Sequence, residues 1–168
     1  MSGTQPTMSG VGTSGARAVA DLAERCILAS VEVAVPPERV FRALTSTEIV
    51  DWWVRPGVFD TREWTGDVRV GGRWRSSGIG GGKPYVLEGE FLEVDPPRKL
   101  VHSWHTVAAP GAPTTVTYLL EPLDKGTRIT LRHSGFASRE VCGNTCVGWE
   151  TSFGRLAASL APQAPPSG

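Results

Sequence analysis

Residues 138–160 read SREVCGNTCVGWETSFGRLAASL, and apolar side chains recur along them at steps of three and four. The recurring residues are Cys142, Cys146, Trp149, Phe153, Leu156 and Leu160. This is the period of a helix with one wide apolar face. Ser138 is a suitable N-cap, and Pro162 stops the helix soon after Leu160. The stretch therefore predicts a helix of about 20 residues, roughly 30 Å long, whose apolar face needs a large partner.

Two glycines complicate the first half of this helix. Gly143 and Gly148 each cost about 1 kcal/mol relative to alanine in a helix interior. The sequence leaves open whether this half is loose, kinked, or absent, with the helix beginning only near Asn144.

Upstream, the apolar pattern changes to a period of two. Residues 27–35 alternate apolar and small or polar side chains, which indicates a strand with one buried face. Pro36 and Pro37 end this strand, and two short helices are predicted before Pro56 and Gly57. Further strands are predicted at 59–64, 72–76, 85–94, 100–105, 114–121 and 127–133, with turn residues between them. The order predicts an α+β fold in which a curved antiparallel sheet of about six to seven strands wraps around the C-terminal helix.

The length and composition favour one domain and exclude several classes of protein. We expect residues 1–24 to be a flexible tail rich in Gly, Ser and Thr, residues 25–161 to form the domain, and residues 162–168 to be a disordered tail. The 17 basic residues balance 17 acidic ones, so no nucleic-acid partner is indicated. Three cysteines do not make a disulfide framework, and a reducing cytoplasm is the expected location. No apolar run is long enough for a membrane span, and no secretory signal is recognisable.

A series of short motifs occurs in order along the chain. They are PPERVFRALT at 36–45, Trp52-Trp53, DVRVGGRW at 67–74, Gly89 followed by DPP at 95–97, Gly126-Thr127, and Gly148-Trp149. Together they resemble the START-like SRPBCC superfamily, and within it the branch named after the C-terminal domain of activators of the heat-shock protein 90 ATPase. The resemblance covers about residues 25–160. It implies the helix-grip fold, with a cavity between the sheet and the C-terminal helix.

The large aromatic residues are the first candidates for the lining of such a cavity. Our preferred set is Trp52, Trp53, Trp74, Phe91, Trp104, Trp149 and Phe153. The alternative is that these side chains fill the core, since each buries a large apolar area. The sequence alone does not separate the two interpretations.

Ionisable candidates are few. His102 and His105 are three apart, so they should point to opposite faces of one strand. His133 shares the inward register with Ile129 and Leu131, which makes it a candidate general base, and Arg73 is the second catalytic candidate. The alternative for His133 is a bond to water or backbone at the strand end.

Cys142 and Cys146 lie four apart on the predicted helix, a spacing at which two thiolates can reach one metal ion. A structural zinc site usually has four ligands, and the chain has no second cysteine pair. We therefore expect no metal and no cofactor, and interpret both thiols as small apolar groups.

These observations predict a module that binds a hydrophobic or aromatic small molecule inside the domain. Two alternatives stay open. The first is an enzyme of the polyketide cyclase or dehydratase type, which would use positioning and acid–base chemistry. The second is a protein-interaction role with heat-shock protein 90 as partner, which the family resemblance implies.

Overall fold

An antiparallel sheet curls around one long helix in this protein. The structure is a computed structural model, and it describes residues 15–108 and 111–161. The strands within this range are β1 (Arg17–Asp21), β2 (Cys26–Val33), β3 (Val54–Arg55), β4 (Phe59–Gly66), β5 (Arg73–Gly80), β6 (Lys83–Asp95), β7 (Lys99–Thr106), β8 (Thr114–Leu123) and β9 (Gly126–Ser134). The helices are α1 (Pro37–Leu44), α2 (Ile49–Trp52) and α3 (Arg139–Ser159).

The described strands form a single nine-stranded sheet in the order β1-β2-β9-β8-β7-β6-β5-β4-β3, and every pairing is antiparallel. The predicted α+β fold, with a curled sheet around the C-terminal helix, is confirmed. Two strands beyond the predicted set lie at the sheet edges. β3 has only 2 residues, too few for a periodic signal.

The other unpredicted strand, β1, occupies part of the segment that the sequence assigned to a flexible tail. Arg17–Asp21 pairs with β2 from Arg17 opposite Ser30 to Asp21 opposite Cys26. Its half-buried residues are the small Ala18 and Ala20, which carry little apolar signal. The tail predicted for residues 1–24 is therefore corrected at these positions. Residues 1–14 and 162–168, the rest of the predicted tails, lie outside the described residues.

The hairpin between β5 and β6 is longer than the sequence indicated. The sequence predicted strands at 72–76 and 85–94 with turn residues between them, yet β5 continues to Gly80, and only Gly81 and Gly82 form the turn. Both glycines have positive φ, +58° and +78°, the conformation that two-residue hairpin turns require. The extended hairpin brings Tyr85 and Gly80 to one end of the sheet.

Helix α3 begins at Arg139 and runs through both glycines, so a start near Asn144 is excluded. Ser138 is the N-cap, and its Oγ accepts a hydrogen bond from Val141 N–H at 3.3 Å. The buried face carries Trp149, Phe153 and Leu156. It packs against the concave side of the sheet, where Ile27, Ile129 and Leu131 are completely buried.

Gly143 offers a test of this helix. No atom lies within 4 Å of the position that a Cβ would take there. We expect Gly143→Ala to raise the free energy of unfolding by about 0.5–1 kcal/mol, because alanine loses less backbone entropy in a helix interior. Urea denaturation of the two proteins measures the change. A lower stability in the alanine variant would contradict a helical conformation at this position.

Candidate functional site

A cavity of about 540 Å³ lies between α3 and the end of the sheet formed by β3 to β7. One wall is the α3 face that carries Gly148, Trp149 and Ser152. The described residues that line the cavity are Trp53, Arg55, Val58, Phe59, Thr61, Gly80, Tyr85, Leu87, Trp104, Thr106, Asn144, Thr145, Gly148, Trp149 and Ser152. Five of these residues are aromatic, and seven carry a polar side-chain group.

Part of the predicted aromatic set reaches this cavity. Trp53, Trp104 and Trp149 line it. The indole rings of Trp53 and Trp104 have centroids 5.0 Å apart, and those of Trp104 and Trp149 are 5.7 Å apart. Edge and tilted contacts of this kind add to the stabilisation from burial alone. The three indoles therefore form one continuous aromatic wall.

The other four aromatic residues of the predicted set do not line the cavity, and the prediction is corrected for them. They are Trp52, Trp74, Phe91 and Phe153, and each is almost completely buried. Trp52 Nε1–H donates to the Ala43 carbonyl at 3.0 Å, and Trp74 Nε1–H donates to the Ser103 carbonyl at 3.1 Å. Trp74 and Phe91 lie on β5 and β6, Trp52 on α2 and Phe153 on α3, and all four belong to the buried core.

The prediction of His133 as a candidate general base in the cavity is also corrected. His133 faces inward, as its register predicted, but it is 0% exposed and does not line the cavity. Its Nδ1 accepts a hydrogen bond from Trp149 Nε1–H at 3.0 Å. The ring proton of the neutral imidazole is therefore on Nε2, which donates to Thr114 Oγ1 at 2.6 Å. The Thr114 hydroxyl in turn donates to the Trp104 carbonyl at 3.2 Å. His133 thus supports the aromatic wall from behind, with both ring nitrogens occupied.

The electrostatics of His133 agree with this structural role. Burial, followed by the neighbouring His102, lowers the pKa of His133 to about 3. Burial likewise lowers the pKa of His102 to about 4, although Nδ1–H donation to the Ser103 carbonyl at 2.9 Å opposes the shift. Both imidazoles are neutral at physiological pH. His105 lies on the opposite face of β7, as its spacing predicted.

Arg73 also lies outside the cavity lining. It lies on the outer face of β5 and is exposed, and its guanidinium is 4.0 Å from the Glu88 carboxylate. Arg75 approaches the same carboxylate at 3.8 Å. The charged set that alternates with Trp74 therefore faces solvent, and Arg73 is not a catalytic candidate.

Several polar side chains in the cavity wall were not singled out from the sequence. Tyr85 and Thr61 join their hydroxyl groups at 2.7 Å, and burial raises the pKa of the Tyr85 phenol although the bond to Thr61 opposes the shift. Ser152 is only 3% exposed, and its hydroxyl makes no hydrogen bond within the described ranges. One signal was available, because Ser152 follows Trp149 by three residues and so shares its helical face. Arg55 and Tyr85 carried no such signal.

The cysteines are buried in the core. Burial raises the pKa of the Cys142 thiol, as does the nearby Cys26, so the thiol stays protonated. Burial also raises the pKa of Cys146. Across residues 15–108 and 111–161, no group of three or more His, Cys, Asp or Glu side chains is arranged to hold a metal ion. No helix in the same ranges is long and apolar enough to cross a membrane.

Comparison with known proteins identifies the type of domain. Residues 34–161 match the family model described as "Activator of Hsp90 ATPase homolog 1-like protein". No curated protein gives a significant match to the chain.

Solved structures share the architecture. Protein CV1439 from Chromobacterium violaceum is 26% identical, with a TM-score of 0.74, and the match covers 83% of this chain and 99% of that one. The AHSA1 (SPO3351) protein from Silicibacter pomeroyi is 27% identical, with a TM-score of 0.67 and coverage of 80% and 96%. Protein Ms6760 from Mycobacterium smegmatis, at 21% identity, a TM-score of 0.72 and coverage of 88% and 98%, is similar in fold alone. These structures have the same curled sheet around a C-terminal helix.

Proposed function

Because the chain belongs to the family of activator of Hsp90 ATPase homolog 1-like proteins, we propose that it is a small-molecule-binding module. The ligand would be hydrophobic or aromatic and would lie between the sheet and α3. The observation that carries this proposal is the cavity of about 540 Å³ with its wall of Trp53, Trp104 and Trp149. Ligand pockets are typically concave, largely apolar, and roughly 300–1,000 Å³ in volume.

The polar groups of the cavity favour binding over catalysis. Hydroxyl groups, one amide and one guanidinium face the space, and no carboxylate or imidazole belongs to its described lining. General acid–base catalysis needs a titratable group within hydrogen-bond reach of the reacting atoms, and in the described lining only the Tyr85 phenol, whose pKa burial raises, is of that kind. The cyclase or dehydratase alternative therefore has less support. The heat-shock protein 90 interaction rests on the family alone, and stimulation of the chaperone ATPase by the purified chain would test it.

Ligand binding can be tested directly. Mass spectrometry of the denatured protein reports any metabolite that copurifies, and calorimetric titration with 2-naphthalenemethanol, an uncharged aromatic probe, reports the affinity of the cavity. Binding should also change the tryptophan fluorescence, because three indoles form the wall. If no metabolite is released and the probe gives neither heat nor a fluorescence change, the proposal fails.

A substitution that fills the cavity sharpens the test. A Cβ at Gly148 would lie 3.4 Å from the Phe59 ring, an ordinary contact, so a larger side chain at this position enters the cavity. We expect Gly148→Leu to fold and to bind 2-naphthalenemethanol at least tenfold more weakly, because the leucine side chain occupies space that the probe needs. A tenfold loss of affinity corresponds to roughly 1.4 kcal/mol of binding free energy.

Gly143→Leu is the matched control, because it makes the same change on the same helix where a Cβ meets no atom within 4 Å. It should bind the probe like the unmodified protein. Equal affinities of the Gly148→Leu and Gly143→Leu variants would place the probe elsewhere and contradict the proposed site.

A further inference from the structure

We infer that the cavity selects ligands that carry a carboxylate, with Arg55 as the group that recognises it. This inference rests on the proposed ligand-binding function and adds the charge and chemical class of the ligand. It follows from which charged side chains line the cavity, and from which of its polar groups lack a partner.

Arg55 is the one cationic side chain of the described cavity lining, and no acidic side chain accompanies it there. It is half-buried, and its guanidinium forms no ion pair or hydrogen bond with residues 15–108 or 111–161. The nearby Asp60 is paired with Arg62 at 3.3 Å. A guanidinium that is partly desolvated without a counter-ion is costly, and an anionic ligand group would offset that cost.

The backbone around Arg55 holds it in place at the cavity. Arg55 pairs with Phe59 in the β3–β4 hairpin, and its carbonyl accepts a hydrogen bond from Val58 N–H at 2.9 Å. Gly57 takes the positive φ of 80° that this tight turn needs. The backbone that carries the side chain is therefore held in a short, closed hairpin and need not be ordered when a ligand binds.

A second observation concerns hydroxyl groups of the cavity wall that have no partner in the described chain. The Ser152 hydroxyl lines the cavity, the residue is 3% exposed, and the hydroxyl has no partner in the described chain. The Ser152 oxygen is not one of the fully buried polar atoms without a partner, so it is open to the cavity and available to a polar ligand atom. The Thr106 side chain likewise lines the cavity without a hydrogen bond in the described ranges.

The chemistry favours a carboxylate over a phosphate. A guanidinium presents two parallel N–H donors that match the two oxygens of one carboxylate. A phosphate monoester carries close to two negative charges at neutral pH, and Arg55 supplies a single positive charge. An aromatic carboxylic acid satisfies both parts of the site, with its ring against the indoles and its carboxylate at Arg55.

The test compares two probes that share a ring, 2-naphthoate and 2-naphthalenemethanol, by calorimetry on the full chain. We expect the acid to bind about tenfold more tightly, a modest factor because water screens the half-exposed guanidinium. The preference should shrink as the salt concentration rises, since screening acts on the charged probe only. Arg55→Gln should abolish the preference and leave the affinity for the alcohol unchanged.

Arg132→Gln is the control, because Arg132 is an exposed arginine on the outer face of β9 and its loss changes the net charge equally. It should keep the preference for the acid. Equal affinities for the two probes in the unmodified protein, or a preference that survives Arg55→Gln, would overturn the carboxylate inference and leave the ligand-binding function standing. Failure of both probes to bind would overturn the proposed function, and this inference with it.

Discussion

Acidification from pH 7 to pH 4.5 is expected to lower the free energy of unfolding by about 5 kcal/mol through His102 and His133 alone. Their pKa values in the folded protein are about 4 and about 3, below the value of about 6.5 in an unfolded chain. At pH values between the folded and the unfolded pKa, each imidazole binds a proton in the unfolded state and stays neutral in the folded state. The stabilisation is therefore complete above pH 6.5 and is lost as the pH falls towards the folded pKa values. Each histidine contributes about 1.4 kcal/mol per pH unit.

Urea denaturation at a series of pH values measures this slope. His102→Asn is the informative variant, because its amide nitrogen can take the place of Nδ1 and still donate to the Ser103 carbonyl. It should halve the slope between pH 6 and pH 4.5. His105→Asn, on the opposite face of β7, is the matched control for the change of side chain. An unmodified protein whose stability is constant from pH 7 to pH 4.5 would show that the two imidazoles are not buried as described.

Replacement of His133 is the second change with a large expected effect. His133→Leu keeps a similar volume but removes the acceptor for Trp149 Nε1–H and the donor to Thr114 Oγ1. The indole N–H is then buried without a partner. We expect the free energy of unfolding to fall by about 2–4 kcal/mol, since each unsatisfied buried polar group costs roughly 1–3 kcal/mol. Thermal and urea denaturation measure the loss.

A double-mutant cycle separates the hydrogen bond from packing. In a Trp149→Phe background, which has no indole N–H, His133→Leu should cost about 1–2 kcal/mol less than in the unmodified protein. If the two costs are equal, the bond between Trp149 and His133 contributes nothing to stability. In the ligand assay, His133→Leu should weaken binding of 2-naphthalenemethanol, because Trp149 loses the bond that orients it in the cavity wall.

The elements that the sequence predicted are those with a strong local period. The steps of three and four in α3 identified its buried face, and Ser138 identified its start, because side chains on a helix return to one face every 3.6 residues. The alternation in β2 and β9 identified their buried residues for the corresponding reason in a strand. Both are properties of a few neighbouring residues. The two unpredicted strands, β1 and β3, are short and carry small or few apolar side chains.

The candidate site was predicted less completely, because a cavity is a property of surfaces that meet from distant parts of the chain. The alternation of residues along β9 predicted to which face of the sheet the His133 side chain points, and it does point inward. Its complete burial depends on Trp149, 16 residues further along the chain, whose Nε1–H donates a hydrogen bond to His133 Nδ1. The outer position of Arg73 depends on the side from which α3 approaches the sheet.

By itself, then, the sequence determined an α+β domain with a curled antiparallel sheet around the helix at residues 139–159, and it determined which faces are apolar. Only the tertiary structure decided that Trp53, Trp104 and Trp149 border the open space while Trp52 and Phe153 fill the core. All five are large apolar side chains, and Trp104 is the one among them that lies on a strand. What separates them is the position of the gap, which lies beneath residues 144–152 of α3 and is also lined by Arg55, and that position is set by how distant elements meet.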